Sequence, residues 1–485
     1  MIFARFFDFL SLVLSNLLTL GGAIRWTSAN EAINKRNPAR FMRWNERKRM
    51  LNQFNGGFLL DGKIGRFSQK TSFQSIITTG GMGVGKSANL VIPNILTAKD
   101  CSLVITDTSG EIYAQTSGYL HEQGYTIQVL DLMDFTKSTC YNPLANIHDY
   151  TGADRVAHTI VNSAGGHSAE PIWDEGAKRI IRILIRTLKN HEQKTGTPAN
   201  LGSVLYLLNN FDAHREGSQL MNFILENTLD DRATYEDYKG FITASTDKML
   251  LSFVSTASTA LTQIGNPELS KILTKNEFSF DQLKHEKIAL FIKVKQQDMQ
   301  HFAFLLSLFY TDLCHALLQD LTASHPTYLF LDEFGHLKIP HFETFATTAR
   351  KYKVGFWLFV QSLSQLEMQY GRYGAETILG GLGTETYFGG VDIATAQNIS
   401  QRLGTAFKVN WLRPNDSPSA GNLMRADEII RLNDNQMLVL HANRDPMKIH
   451  TLPFYARGDL KRRANMPPYP MPARDHQLFM PTFNH

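Results

Sequence analysis

Short, unbroken apolar runs alternate along this chain with longer stretches whose apolar positions recur three and four apart. The runs Ser75–Thr79, Ser102–Thr106, Tyr125–Leu130, Ile288–Val294, Thr327–Leu331 and Val354–Val360 are rich in Val, Ile, Leu, Phe and Thr. Continuous rather than alternating hydrophobicity is how strands buried on both faces read. With helical stretches between them, among them His301–Leu318, they predict a parallel sheet covered by helices, an α/β fold. From His158 to Ile272 the pattern changes. Ile172, Trp173, Ile180, Ile181, Leu184, Ile185 and Leu188 recur at helical spacing. Asn200–Leu208, Gln219–Leu225 and Lys248–Ile264 also read as helices, with no convincing strand among them. The reading is therefore an all-α domain inserted into the α/β unit.

The N-terminus has its own pattern. Phe9 to Ile24 is uncharged but carries Ser11, Ser15, Asn16 and Thr19, and it is short for a bilayer span. A spanning helix, an interfacial helix and a helix docked on a partner all fit it. The flank favours the membrane: Lys35, Arg36, Arg40, Arg43, Arg47 and Lys48 face only Glu31 and Glu46 between Arg25 and Arg49. Basic residues directly after an apolar helix keep the following chain on the cytoplasmic side. The expected organisation is a membrane-associated helix (1–26), a basic linker (27–56), the nucleotide-binding domain in two parts (57–157 and 273–456), the all-α domain (158–272) and a proline-containing tail (457–485).

Composition narrows the classes. At 485 residues the chain exceeds one ordinary core, and 43% hydrophobic with 19% charged residues excludes a disordered chain. A formal charge of +4 neither demands nor excludes nucleic acid. Cys101, Cys140 and Cys314 are widely separated and form no Cys/His cluster of zinc spacing, so reduced thiols in a cytosolic compartment are expected. Neither G-x-S-x-G nor H-E-x-x-H occurs, which removes two hydrolase classes.

The candidate chemistry sits at strand ends. Gly80-Gly81-Met82-Gly83-Val84-Gly85-Lys86-Ser87 follows the first of these strands and precedes Ala88 and a helix that Pro93 should kink or end early. Strand, G-x-x-x-x-G-K-S and helix together form a phosphate-binding P-loop. Its glycines turn backbone N–H groups toward a polyphosphate, Lys86 is placed to reach the β/γ-phosphates, and Ser87 to ligate Mg²⁺. The cofactors expected are ATP and Mg²⁺. Thr327–Leu331 followed by Asp332-Glu333 reads as the second half of the site. Asp332 is assigned to the metal and Glu333 to polarising the attacking water. Gln361, at the end of Val354–Val360, either senses the γ-phosphate or satisfies loop backbone.

These residues carry a resemblance to the coupling proteins of type IV secretion and bacterial conjugation. It rests on Asn89 to Leu96 after the P-loop, Asp107-Thr108-Ser109-Gly110-Glu111, and Tyr141-Asn142-Pro143-Leu144 before the helical insertion. Leu331-Asp332-Glu333-Phe334, Val360 to Leu366, Tyr370-Gly371, Phe388-Gly389, Thr395-Ala396, Leu403-Gly404 and Arg425 to Ile430 follow in the family's order. The resemblance implies a RecA-like P-loop NTPase domain with an all-α domain, assembled as a homo-hexamer at the cytoplasmic face of the inner membrane. It implies ATP hydrolysis that delivers relaxase-bound single-stranded DNA, or protein effectors, to secretion-channel proteins. Arg350 resembles the family's arginine finger and otherwise reads as a solvated helix face. Thr108-Ser109 replaces a Pro-Lys pair, many members carry two N-terminal apolar helices rather than one, and no acidic tail follows Tyr455. Two rivals stand beside this reading. A soluble ring pump for duplex DNA is opposed by the helical insertion and the Gln361 block; the other is a nucleotide-gated docking platform that moves no DNA.

Overall fold

The computed structural model describes residues 39–51, 56–147, 149–163, 170–212, 218–322, 325–408 and 419–480. The expected helix at 1–26 lies outside them, and among the described residues no helix is long and apolar enough to cross a membrane. In chain order the strands are β1 (Gly56–Leu59), β2 (Arg66–Ser68), β3 (Ile76–Thr79), β4 (Ser102–Asp107), β5 (Thr126–Asp131), β6 (Ile288–Lys293), β7 (Thr327–Leu331), β8 (Val354–Val360), β9 (Thr384–Tyr387), β10 (Thr405–Lys408), β11 (Ser419–Asn422), β12 (Gln436–His441) and β13 (Met447–His450).

Nine of them form one sheet in the order β13-β12-β9-β3-β8-β7-β4-β6-β5. From β9 to β5 every pairing is parallel, whereas β12 runs antiparallel to both β9 and β13. The sheet is thus mixed, because β12 and β13 are joined by a short turn that permits only an antiparallel hairpin. The central strands β4, β7 and β8 are buried along their whole length, which explains their unbroken apolar runs. Alternate residues feed opposite faces. Ile77, Val104, Leu290, Leu329 and Leu358 join one core, while Ile76, Ile105, Phe291, Phe330 and Trp357 join the other. Polar strand residues are paired: the Trp357 indole donates to Thr78 Oγ1 at 2.8 Å, and Thr78 and Thr386 hydroxyls meet at 2.6 Å.

Between β5 and β6 the described residues form helices and no strand. The longest, Pro171–Thr195, buries Ile180, Ile181, Leu184, Ile185 and Leu188. At Gly176 a Cβ would stand 2.0 Å from the Phe253 ring, so glycine is what lets the helix Asp247–Ala260 pack so closely. The sequence pattern did not mark the helices Arg232–Thr243 and Pro267–Ile272. The expected boundary after residue 157 falls inside the helix Tyr150–Ser163, and the helical block shares one continuous apolar core with the sheet face beneath it. Part of the expected linker is helical too: Trp44–Leu51 packs on β2, and Arg40 pairs with Glu46 and Asp445.

The proline-containing tail lies along the body. Tyr113 Oη donates to Tyr469 O at 2.6 Å, Arg474 N to Thr136 O at 2.8 Å, and Asn200 Nδ2 to Phe479 O at 2.8 Å. It therefore straps the sheet to the helical block. All three cysteines are buried and free; Cys140 Sγ lies 3.1 Å from His476 Nδ1, a contact between residues too far apart in sequence for spacing to suggest.

Candidate nucleotide site

The carboxyl ends of β3, β8, β7 and β4 stand side by side, because these neighbours are all parallel. The loop Gly80–Lys86 leaves β3 there. Gly83 and Gly85 have φ of 76° and 78°, and at Gly85 a Cβ would also stand 2.8 Å from Asn89 Nδ2. Left-handed backbone of this kind turns successive N–H groups into an anion-binding concavity. Met82 is 74% exposed at its tip, and Ala88 packs beneath, against the core of Ile92 and Leu96. The following helix opens as a wide π turn, Ser87–Val91, and continues as α only to Ile95. The wide turn sits directly before Pro93, which has no N–H to give to the carbonyl of Asn89. Pro93 thus shapes a short helix, as its position in the sequence suggested.

Lys86 is buried, and its Nζ donates to Gly80 O at 2.9 Å and Val360 O at 3.3 Å. Burial lowers its pKa, against the pull of the Glu333 and Asp332 charges. The Asp332 carboxyl is pushed up to about 6, first by burial and then by Glu333, with Lys86 opposing. Thr108 Oγ1 donates weakly to Asp332 Oδ2 at 3.4 Å. Glu333 has φ 52°, a left-handed conformation costly for a residue with a side chain. That turn aims its carboxylate at Gln361, whose Nε2 donates to Glu333 Oε2 at 3.0 Å. The Gln361 side chain is therefore engaged with the carboxylate, not with loop backbone.

A second set of residues holds this arrangement. Gln365 Oε1 accepts from the Gln361 backbone N–H at 3.0 Å. Tyr370 Oη accepts from Ile339 N and donates to Leu337 O, both at 3.1 Å, while its ring stacks on Phe334. Asp107 Oδ1 accepts from Gly110 N at 2.8 Å and Oδ2 from Tyr113 N at 2.7 Å, so it orders the start of the helix Glu111–Glu122. The sequence assigned no role to Thr108, Asn89, Gln365 or Tyr370. Gln365 and Tyr370 were visible only as members of a recurring block.

Lys86, Asp332, Glu333 and Gln361 are thus brought together, with Ser87 opening the adjoining helix. Arg350 is not. It is exposed, at the opposite end of β8, and seven strand residues separate the two ends by roughly 20 Å. A hydroxyl at Ser87 and a carboxylate at Asp332 are hard oxygen donors. Asp332 and Glu333 crowd negative charge around Lys86, and Asp107 adds to it beside Asp332. A divalent cation with a polyphosphate fits this donor set.

A model of the family described as type IV secretory system conjugative DNA transfer matches residues 29–473. The chain belongs to that family. It is 27% identical over 432 residues to the protein VirD4 of Rhizobium radiobacter, covering 84% of this chain and 59% of that protein. It is 24% identical over 370 residues to the conjugal transfer protein TraG of Escherichia coli, covering 71% of this chain and 57% of TraG. The chain thus spans less than two thirds of the length of these relatives. The conjugative coupling protein TrwB, solved in complex with sulphate, superposes with a TM-score of 0.66 at 17% identity, over 85% of this chain and 93% of that one. TrwB with a non-hydrolysable ATP analogue gives 0.65 at 17%, over 91% and 96%. The family's fold is therefore this mixed sheet with helices on its faces.

Proposed function

We propose that this chain is the ATP-driven coupling protein of a type IV secretion system, bringing relaxase-bound single-stranded DNA or a protein effector to the channel. The observation that supports it most is the placement of Lys86, Asp332, Glu333 and Gln361 at one sheet edge in a chain of the conjugative DNA-transfer family. TrwB has been solved with ADP and Mg²⁺, and ATP is the nucleotide we assign to this P-loop.

In this reading the domain is RecA-like, and the loop amides with Lys86 hold the β/γ-phosphates. Ser87 and Asp332 hold Mg²⁺, which supplies charge neutralisation at the phosphates. Glu333 orients the attacking water and accepts its proton, and Gln361 keeps the Glu333 carboxylate aimed. Arg350, remote from its own site, serves the site of a neighbouring subunit in a homo-hexamer. The N-terminal segment 1–26 with its basic flank holds the assembly at the cytoplasmic face of the inner membrane. Departure of the chain into the soluble fraction on alkaline carbonate extraction would exclude a spanning helix.

The deciding experiment is the steady-state ATPase rate of the purified full chain with and without single-stranded DNA, at low and high salt. Stimulation that fades with salt supports a DNA translocase, since phosphate contacts dominate such binding. A rate indifferent to DNA would replace it with the docking-platform reading.

A further inference from the structure

A cavity of about 530 Å³ opens at the other end of the sheet, by the amino ends of β4 and β7. Its floor is aromatic, with Phe58, Tyr328 and Phe330 buried there, and its polar lining is mostly cationic: Lys63, Arg66, Lys99, Arg457 and Arg463. Both acidic residues of the lining are already paired, Asp459 with Arg457 of the same wall at 2.7 Å and Asp100 with Lys287 at 2.9 Å. Arg66 is the informative group. Its guanidinium is fixed by Gly57 O at 2.8 Å and by the Thr97 hydroxyl, yet among the described residues no carboxylate lies within ion-pair distance of it. Burial lowers its pKa, with the nearby Arg457 adding to the effect and Asp61, which is not in contact, opposing it weakly.

An arginine held in place by neutral oxygens at the base of a cavity, with no carboxylate in contact among the described residues, is costly unless an anion comes to it. Through Thr97, Arg66 also reaches the carbonyl end of the P-loop helix, where the dipole supplies at most about half a negative charge. That leaves Lys63, Lys99 and Arg66 around one opening, none of their charged groups in contact with a carboxylate among the described residues. A second unpaired group points the same way: the Tyr328 hydroxyl is buried and has no hydrogen-bond partner among the described residues, though the side chain lines the cavity. Guanidinium, ammonium and phenol donors over an aromatic floor match a phosphate ester carrying an apolar or planar body.

We propose that this cavity is a second phosphate-binding site, separate from the P-loop, which takes an organic phosphate of nucleotide size. Arg66 binds the phosphate, Lys63 and Lys99 draw it in from the rim, and Phe58 and Tyr328 carry the rest of the ligand. The chemistry is shared by a soluble organic phosphate and by an anionic phospholipid headgroup. The site lies at the far end of the same short helix that begins at Lys86, so the two ligands would grip one element from opposite ends.

The test uses the full chain carrying Lys86→Ala, which weakens phosphate binding at the P-loop. Pyrophosphate and adenosine monophosphate are titrated calorimetrically, and phosphatidylglycerol and phosphatidylcholine vesicles are compared by co-sedimentation. Binding of at least one anionic probe is expected, reduced tenfold or more by the pair Lys63→Glu and Lys99→Glu and abolished by Arg66→Gln. Binding of the soluble probes identifies a soluble organic phosphate; binding of phosphatidylglycerol alone identifies a headgroup. Should Arg66→Gln fail to fold, the two rim reversals decide, because both side chains are exposed. No binding by any probe, or binding indifferent to the rim reversals, would overturn the proposal. The ATPase result on which the P-loop assignment depends is untouched by either outcome.

Discussion

Charge is handled in opposite ways in the helical block and at the carboxyl edge of the sheet. In the block, Arg182 pairs with Asp154 and Asp237, both at 2.7 Å, and Arg186 pairs with Asp231 at 2.5 Å. Each half-buried cation meets carboxylates in good geometry. At the sheet edge Asp332, Glu333 and Asp107 lie near one another with Lys86 among them, and Lys86 spends its hydrogen bonds on backbone carbonyls. Compensated charge holds structure together. Charge left uncompensated, in the place where a parallel sheet presents its strand ends, marks a site that is completed by a ligand.

The largest expected effect breaks the sheet edge without touching the fold. Glu333→Gln keeps shape and the Gln361 contact within reach but removes the proposed base. ATP binding should persist while turnover falls by about a hundredfold or more, measured by equilibrium binding beside steady-state hydrolysis. Lys86→Ala should lose binding itself. Parental turnover in Glu333→Gln would mean that the water is activated from another strand.

The converse applies in the helical block. Arg182→Ala takes a charged partner from Asp154 and from Asp237, which keeps Arg179 at 2.8 Å, and should cost about 1–2 kcal/mol by urea denaturation while leaving nucleotide affinity alone. Asp332→Asn should do the reverse. It removes a buried charge that nothing fully compensates, so the ligand-free chain should gain on the order of 1–2 kcal/mol while losing its stabilisation by Mg-ATP.

The pH dependence sharpens the contrast because the two carboxylates carry opposite signs. Asp332 sits at about 6 when folded, above its unfolded value of about 4. The folded state therefore holds the extra proton between those values, and stability from this group is present below about 4 and lost as pH rises through 6. Asp231 is held at about 2: burial opposes ionisation, but the Thr234 hydroxyl, Arg186 and Asn190 outweigh it. Its contribution is present above about 4 and disappears as pH falls toward 2. Urea midpoints of Asp332→Asn and Asp231→Asn against the parent, from pH 3 to 7, should diverge in opposite directions.

How much of this was legible in sequence follows from the physics of each element. Strands β4, β7 and β8 announced themselves because burial on both faces leaves no polar position, and the P-loop because its spacing is set by the phosphates it wraps. Strand β9 reads Thr384-Glu385-Thr386-Tyr387 and hid its role: its polar residues are absorbed by Arg402 on Glu385 and by the hydroxyl ladder to Thr78. The β12–β13 hairpin joins the sheet only through the pairing of β12 with β9, far earlier in the chain. Gln361 was placed correctly at a strand end, but its partner depended on the left-handed turn at Glu333, which sequence does not show. The expected boundary at 157/158 lies inside one helix, and the apolar pattern could not show this because the helical block shares its core with the sheet.

The smallest expected effect concerns the support beneath Glu333. Tyr370 Oη bridges Ile339 N and Leu337 O, and its ring lies on Phe334, the residue after the proposed base. Tyr370→Phe keeps the stacking and removes both hydrogen bonds, leaving a backbone donor and acceptor in a buried turn without partners. A loss of about 1–2 kcal/mol in stability is expected from that alone. If the bridge also fixes where the Glu333 carboxylate points, kcat should drop severalfold with KM nearly unchanged, since misaiming the base is felt only as the bond breaks. Tyr370→Leu, which loses the stack as well, should lower kcat further. A Tyr370→Phe enzyme with parental kcat and only reduced stability would show that the loop after β7 is aimed by Gln361 and Gln365 alone.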